Sequence, residues 1–210
     1  GDTITVHLTA KEKINRGVKG RNIPSGVVKW LVEVINQRDE VVCVATILTL
    51  VAKKSLFIDL NVKQIEKTLK SLSESTEKAF GNMSSQMMVE HLEEVMQNGL
   101  GKLNEKDFNE IPAEKLEKLQ DWLYSDQKIR PGAKYPLLKE GEEMVVKYKN
   151  LEQAKEKLVE TLKEFLIYYR ENPLAESYHP RFGTLNKDMM ELFQRKHFTY
   201  HFEQFNLLSK

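Results

Sequence analysis

The spacing of apolar residues changes once along this chain, from a period of two to a period near 3.6. Ile4, Val6, Leu8 and Ala10 alternate with Thr3, Thr5, His7 and Thr9, the pattern of a strand with one buried face. A second strand is predicted over Val27–Ile35, with Val28, Trp30, Val32 and Val34 on one side. Asn36-Gln37-Arg38-Asp39-Glu40 is turn chemistry, and Val41 to Ala52 is a third strand rich in β-branched residues. Lys11 to Gly26, with Gly17, Gly20, Pro24 and Ser25, reads as a loop between the first two or as a frayed strand extension. The prediction is a three-stranded antiparallel meander. Val27, Leu31 and Ile35 make the other face of the middle strand apolar as well. A sheet of about 50 residues cannot stand alone, so upstream chain, a second copy or the downstream helices must complete it.

From Asn61 the helical period takes over, which places a linker at 54–60 between a first segment, 1–53, and a second, 61–210. Val62, Ile65, Leu69, Leu72, Thr76 and Ala79 form one stripe, predicting a first helix that runs to Gly81. Ser84 caps a second, with Met87, Met88, His91, Leu92, Val95 and Met96 inward and Gly99 past its end. Residues 100–149 form a long crossover with a short helix begun by Pro112, a turn at Arg130-Pro131-Gly132, and irregular chain from Tyr135 to Tyr148. Within it, Trp122 packs over one end of the helices. Asn150 with Gln153 opens a third long helix carrying Leu151, Ala154, Leu158, Leu162, Phe165 and Tyr169, stopped by Asn172-Pro173. Asn186 caps a fourth, with Met190, Phe193, His197, His201 and Leu208 on one side. The fold class is therefore α+β: an incomplete three-stranded sheet followed by a four-helix bundle.

Composition narrows the possibilities without supplying a reaction. A net charge of +1 offers no electrostatic footprint for nucleic acid or an anionic membrane, and no apolar run reaches the length of a membrane span. The single cysteine, Cys43, cannot form an internal disulfide and suits a reducing, cytoplasmic setting as a small buried apolar residue. The chain opens Gly1-Asp2-Thr3 without Met, as a cut end or an engineered start does, and no signal-peptide pattern follows.

Chemistry enters with the histidines. His197 and His201 leave one helical face a turn apart and can converge on one ion. That is the spacing of HExxH zinc sites, but Glu is absent from the three intervening residues, which argues against a zincin peptidase. His91 occupies a position that periodicity would give to a core residue. Three imidazoles from two helices leave a fourth coordination position for water, and the set suits zinc, nickel or ferrous iron equally. The competing reading, histidines filling polar niches beside a core, stays open at this point. Gln204 and Glu90 are candidates to fix an imidazole tautomer, with a surface role the default for Glu90. His179 reads as a structural turn residue, His7 as a solvent-facing strand residue, and Met83, Met87, Met88 and Met96 as pliable core.

Two resemblances add to this. Gly1 to Val6, Gly26 to Gln37 and Ala45 to Lys53 resemble the last strands of a MaoC-like hotdog domain. More narrowly they are similar to the end of bifunctional ring-opening proteins of phenylacetate degradation, in which an aldehyde dehydrogenase is joined to a hotdog hydrolase of an oxepin-CoA thioester. The resemblance implies a homo-oligomer formed through the N-terminal sheet, and upstream hotdog and aldehyde dehydrogenase domains in a parent chain. No hydratase residue carries over, because no segment before Leu60 matches the catalytic helix of that family. Phe80 to Leu92, His179 to Leu185 and His197 to Phe205 resemble a DinB-like family of unassigned function. That resemblance implies a divalent metal held by His91, His197 and His201, in an accessory module or, alternatively, a metal-dependent hydrolase or thiol transferase.

Overall fold

A computed structural model describes residues 1–16, 25–52, 55–103, 108, 110–132 and 145–208. It divides into two compact units, Gly1–Ser55 and Leu56–Lys210. The architecture is mixed α+β.

The first unit is an antiparallel sheet in the order β1-β2-β3, formed by Ile4–Arg16, Ser25–Asn36 and Val41–Ala52. Of the two readings for the stretch from Lys11, the strand extension holds over residues 11–16. A bulge between Ala10 and Glu12 absorbs one residue, and pairing resumes at Glu12↔Lys29 and continues to Arg16↔Ser25, so polar composition did not end the strand. Gly17, Gly20 and Pro24 lie outside the described residues. At the β2–β3 turn, Asn36 Oδ1 accepts from the backbone N–H groups of Arg38 at 2.8 Å and Glu40 at 3.1 Å, an Asx-type closure. Asp39 takes the left-handed conformation there (φ 59°). Register places Val6, Leu8, Trp30, Val32, Val34, Cys43, Ala45 and Ile47 on one face, where Trp30 Nε1 donates to Thr49 Oγ1 at 2.8 Å. Val28 and Val32 in the central strand are buried, while Ile4, Val6, Leu8, Val44, Leu48 and Leu50 are exposed. Cys43 is exposed too, against the expectation of burial. It sits on an edge strand, where neighbours cover only one side. His7 is exposed, as expected.

Among the described residues, the second unit holds five α-helices and a short hairpin. α1 spans Val62–Lys70, α2 Ser85–Gln97, α3 Ala113–Leu123, α4 Leu151–Glu171 and α5 Lys187–Gln204. Three helix starts follow the sequence signals. The side chains of Ser84, Asn150 and Asn186 accept from the N–H groups of Met87, Gln153 and Met189, satisfying donors that have no partner within the helix. α1 is shorter than predicted and stops at Lys70 rather than reaching Gly81. Ser71 Oγ donates to Thr68 O, and Thr76 Oγ1 accepts from Ser73 N, so hydroxyls compete successfully with the helical ladder. Leu72 remains buried outside the helix, which explains why its periodicity misled. α2 ends in a single wide turn, Asn98–Lys102, closed by Gly101 at φ 83°, a backbone region glycine enters without penalty. The chain between α4 and α5 was not expected to form strands, yet β4 (Glu176–His179) pairs antiparallel with β5 (Gly183–Asn186).

The core of this unit gathers Leu69, Met88, Leu92, Met96, Leu158, Leu162, Phe165, Phe198 and Phe202 from α1, α2, α4 and α5. Trp122 on α3 stacks on Phe182 (5.9 Å, 7° between planes). Its ring and that of Phe57 flank Lys196 Nζ at 4.3 and 4.2 Å, and the same ammonium donates to Ser125 O and Gln127 O. Burial pushes the Lys196 ammonium down to about 8.

Glu90 is 2 % exposed, correcting the surface role expected of it. Its carboxylate accepts from Lys147 N, Tyr148 N and Gln86 Nε2, which ties the chain before α4 to α2. Tyr135 to 144, predicted irregular, lie outside the described residues. Replacing Glu90 with Ala leaves those two backbone donors without their acceptor, and each bond to a charged group contributes about 1.5–3 kcal/mol. We expect a loss of about 2–4 kcal/mol in urea unfolding, with faster amide exchange at Lys147 and Tyr148. Unchanged exchange at both residues would reject the anchoring role.

Candidate metal centre

His91 stands on α2 one turn after Met87, and His197 and His201 stand one turn apart on α5. All three are buried. The structure brings them together through their Nε2 atoms: His91 to His197 at 3.0 Å and His201 to His197 at 3.1 Å. One nitrogen from each lies within 4.8 Å of the others. Nitrogens around a tetrahedral zinc, at bond lengths of about 2.0–2.1 Å, stand about 3.3 Å apart. The two separations at His197 are within a few tenths of an ångström of that.

Proton accounting favours an ion at the shared point. Gln204 Nε2 donates to Phe80 O at 3.0 Å, which turns the Gln204 carbonyl oxygen toward His201. His201 Nδ1 donates to that oxygen at 2.8 Å. Its single proton is then on Nδ1, and Nε2 presents a lone pair. A neutral His197 would have to share one Nε2 proton between two acceptors, whereas a cation would serve all three lone pairs at once. The rings are neutral: desolvation, then the neighbouring imidazoles, hold His91 and His197 well below the usual histidine range. Burial lowers His201 to about 4, against the opposing Gln204 hydrogen bond. Neutral imidazole is the form that ligates metals.

The surroundings are aromatic. Phe193 stacks on His197 (5.4 Å, 13°), and Tyr200 meets His201 edge-on at 4.9 Å. His179 is not in the cluster. It ends β4, its ring packs on Phe193 at 4.4 Å, and its Nδ1 accepts from Arg181 N, so the expected turn role gains a packing role. Burial, with Arg181 nearby, lowers it to about 3.

A glycine supports the Gln204 link. Gly81 has φ 79°, and a Cβ there would lie 2.4 Å from Gln204 Nε2. Gly81→Ala combines a left-handed backbone, costing about 1–2 kcal/mol, with displacement of the amide that orients His201. We expect both a lower melting temperature and weaker zinc binding in a chelator competition. Unaltered zinc affinity would remove Gly81 from the account of the site.

A family model described as "Protein of unknown function (DUF1569)" matches residues 52–207. The chain belongs to this family. The DUF1569 match covers the helical unit with all three histidines and leaves out nearly all of the sheet. No curated protein and no solved structure matches the chain. Among the described residues of this DUF1569 protein, no helix is long and apolar enough to cross a membrane. Sequence reasoning missed Gln194, which is fully buried on α5 one turn before His197. The available signal was its spacing, since Gln194 precedes His197 by three residues as Gln204 follows His201 by three.

Proposed function

We propose that the helical unit is a DinB-like four-helix bundle holding one divalent transition metal, zinc, nickel or iron, through His91, His197 and His201. The observation that carries this reading is the meeting of three buried neutral imidazoles, with His197 Nε2 at near-ligand spacing from the other two. Such an ion supplies Lewis-acid polarisation of an oxygen or sulfur donor. Gln204 holds the proton of His201 away from the shared point, and Phe193 and Tyr200 shield the cluster from water. In this reading the module is an accessory domain at the end of a cytoplasmic, phenylacetate-degradation type ring-opening protein. The sheet would represent the last strands of a MaoC-like hotdog domain and the surface through which copies associate. Its support is the meander register and the apolar, exposed strands. The second reading, a metal-dependent hydrolase or thiol transferase, is favoured by the ligand count, because three nitrogens leave a position for a substrate atom.

The test is sequential. Purified protein is incubated with zinc, nickel or ferrous iron, desalted and analysed for bound metal; less than a tenth of an equivalent of each rejects the site. Metal-loaded protein is then assayed on thioester and thiol-adduct substrates beside His197→Ala. Turnover lost in that variant supports the enzyme, and equal background supports the accessory module.

A further inference from the structure

On α5 the two histidines are flanked symmetrically by glutamines, in the order Gln194, His197, His201, Gln204. At one end the parts are joined, with Gln204 Oε1 accepting the Nδ1 proton of His201. At the other end they are present and unjoined. Gln194 Oε1 is buried and has no hydrogen-bond partner among the described residues, and the same is true of His197 Nδ1. When His197 turns its Nε2 lone pair to the shared point, its proton must be on Nδ1. The helix then carries a donor lacking an acceptor one turn from an acceptor lacking a donor.

The rest of Gln194 leaves room for the two to meet. Its Nε2 reaches Val95 O at 3.3 Å, near the long limit of a hydrogen bond. Gly99 faces the amide, and a Cβ there would lie 3.3 Å from Gln194 Nε2 and 3.2 Å from Met190 Sδ. The chain thus keeps space around a polar group in an otherwise apolar layer. A buried glutamine with a loose donor and an empty acceptor is costly unless another state uses it.

We propose that Gln194 is the positioning residue of His197, accepting its Nδ1 proton directly or through one bridging water when the three histidines hold a cation. The inference rests on the three-histidine reading above and extends it. The two ring orientations would then be set by two amides on one helix, one formed in advance and one completed on binding.

The experiment compares Gln194→Met, which keeps length and loses both polar atoms, with Gln194→Glu, which keeps the acceptor, and with Gln204→Met at the joined end. Zinc affinity is measured by chelator competition, melting temperature with and without zinc, and the imidazole protons by nitrogen-15 NMR of zinc-loaded protein. Loss of a group that orients a ligand typically weakens metal binding by about 10–100-fold. Gln194→Met is expected to fall in that range, with zinc-free melting unchanged or raised and the His197 Nδ1–H signal lost. Gln194→Glu is expected to stay within about threefold of wild type. Should Gln194→Met not fold, Gln194→Glu decides alone, because a carboxylate acceptor must move the His197 Nδ1–H signal downfield. The proposal is overturned if Gln194→Met binds zinc within about twofold of wild type while Gln204→Met is weakened, or if the His197 signal is the same in every Gln194 variant. If wild-type protein binds no zinc, the three-histidine reading fails and this one with it.

Discussion

His197→Ala is expected to abolish metal binding, and to do so without unfolding the metal-free protein. His197 Nε2 is the vertex shared by both short nitrogen contacts, so its loss leaves two imidazoles with no common neighbour. Removing a group that merely orients a ligand costs about 10–100-fold in affinity, and removing a ligand should exceed that. The effect on stability depends on the metal. At a free metal concentration of about 1,000 times the dissociation constant, binding contributes about 4 kcal/mol, or roughly 8–16 °C in melting temperature for a chain of this size. The variant should forfeit this increment. Its metal-free melting should change far less, because the ring it removes has an Nδ1 with no hydrogen-bond partner among the described residues. Calorimetry with and without zinc checks both statements. An equal zinc-induced rise in wild type and variant would place the ion elsewhere.

Acid should weaken the fold unusually early. His201 titrates near 4 in the folded chain and His179 near 3, against about 6.5 when unfolded. Between those values the unfolded chain binds protons that the folded chain refuses, so stability rises with pH across the window. It is fully present above about pH 6.5 and is lost as pH falls toward 4. For His201 the difference of about 2.5 units, at about 1.4 kcal/mol each, amounts to about 3 kcal/mol. His91 and His197 shift in the same direction and steepen the loss. On the proposed metal reading, bound ion should be lost over the same range, because protons compete for the lone pairs. Urea midpoints taken from pH 7.5 to 4 would show the decline, and His201→Gln should shallow its slope by about one proton. A profile flat down to pH 4.5 would mean that the imidazoles are not buried as described.

Much of this was legible because local signals and tertiary packing agree. The strands follow β-branched alternation, and the caps at Ser84, Asn150 and Asn186 need only one side-chain oxygen and one nearby N–H. Disagreement arose where packing and helical bonding part company. Leu72 is buried, so it looks helical, yet the hydroxyls of Ser71 and Thr76 had already taken the backbone. β4 and β5 are four residues each, too short for alternation to rise above chance. In the site, the paired histidines announce themselves through spacing along one helix. His91 does not, because its approach depends on how α2 and α5 pack, which no periodicity encodes. Glu90 was misjudged for the same reason: a carboxylate reads as surface unless one knows that backbone donors at Lys147 and Tyr148 converge on it.

The two tryptophans of the chain fall one to each unit. Trp30 is in the sheet, with its indole N–H on Thr49, and Trp122 is among the helices, between Phe182 and the Lys196 ammonium. Intrinsic fluorescence therefore contains two separable gauges. A Trp30→Phe chain glows only from the helical half and a Trp122→Phe chain only from the sheet. Superimposable melting curves from the pair would reveal a single cooperative molecule; staggered ones would reveal two that melt in turn.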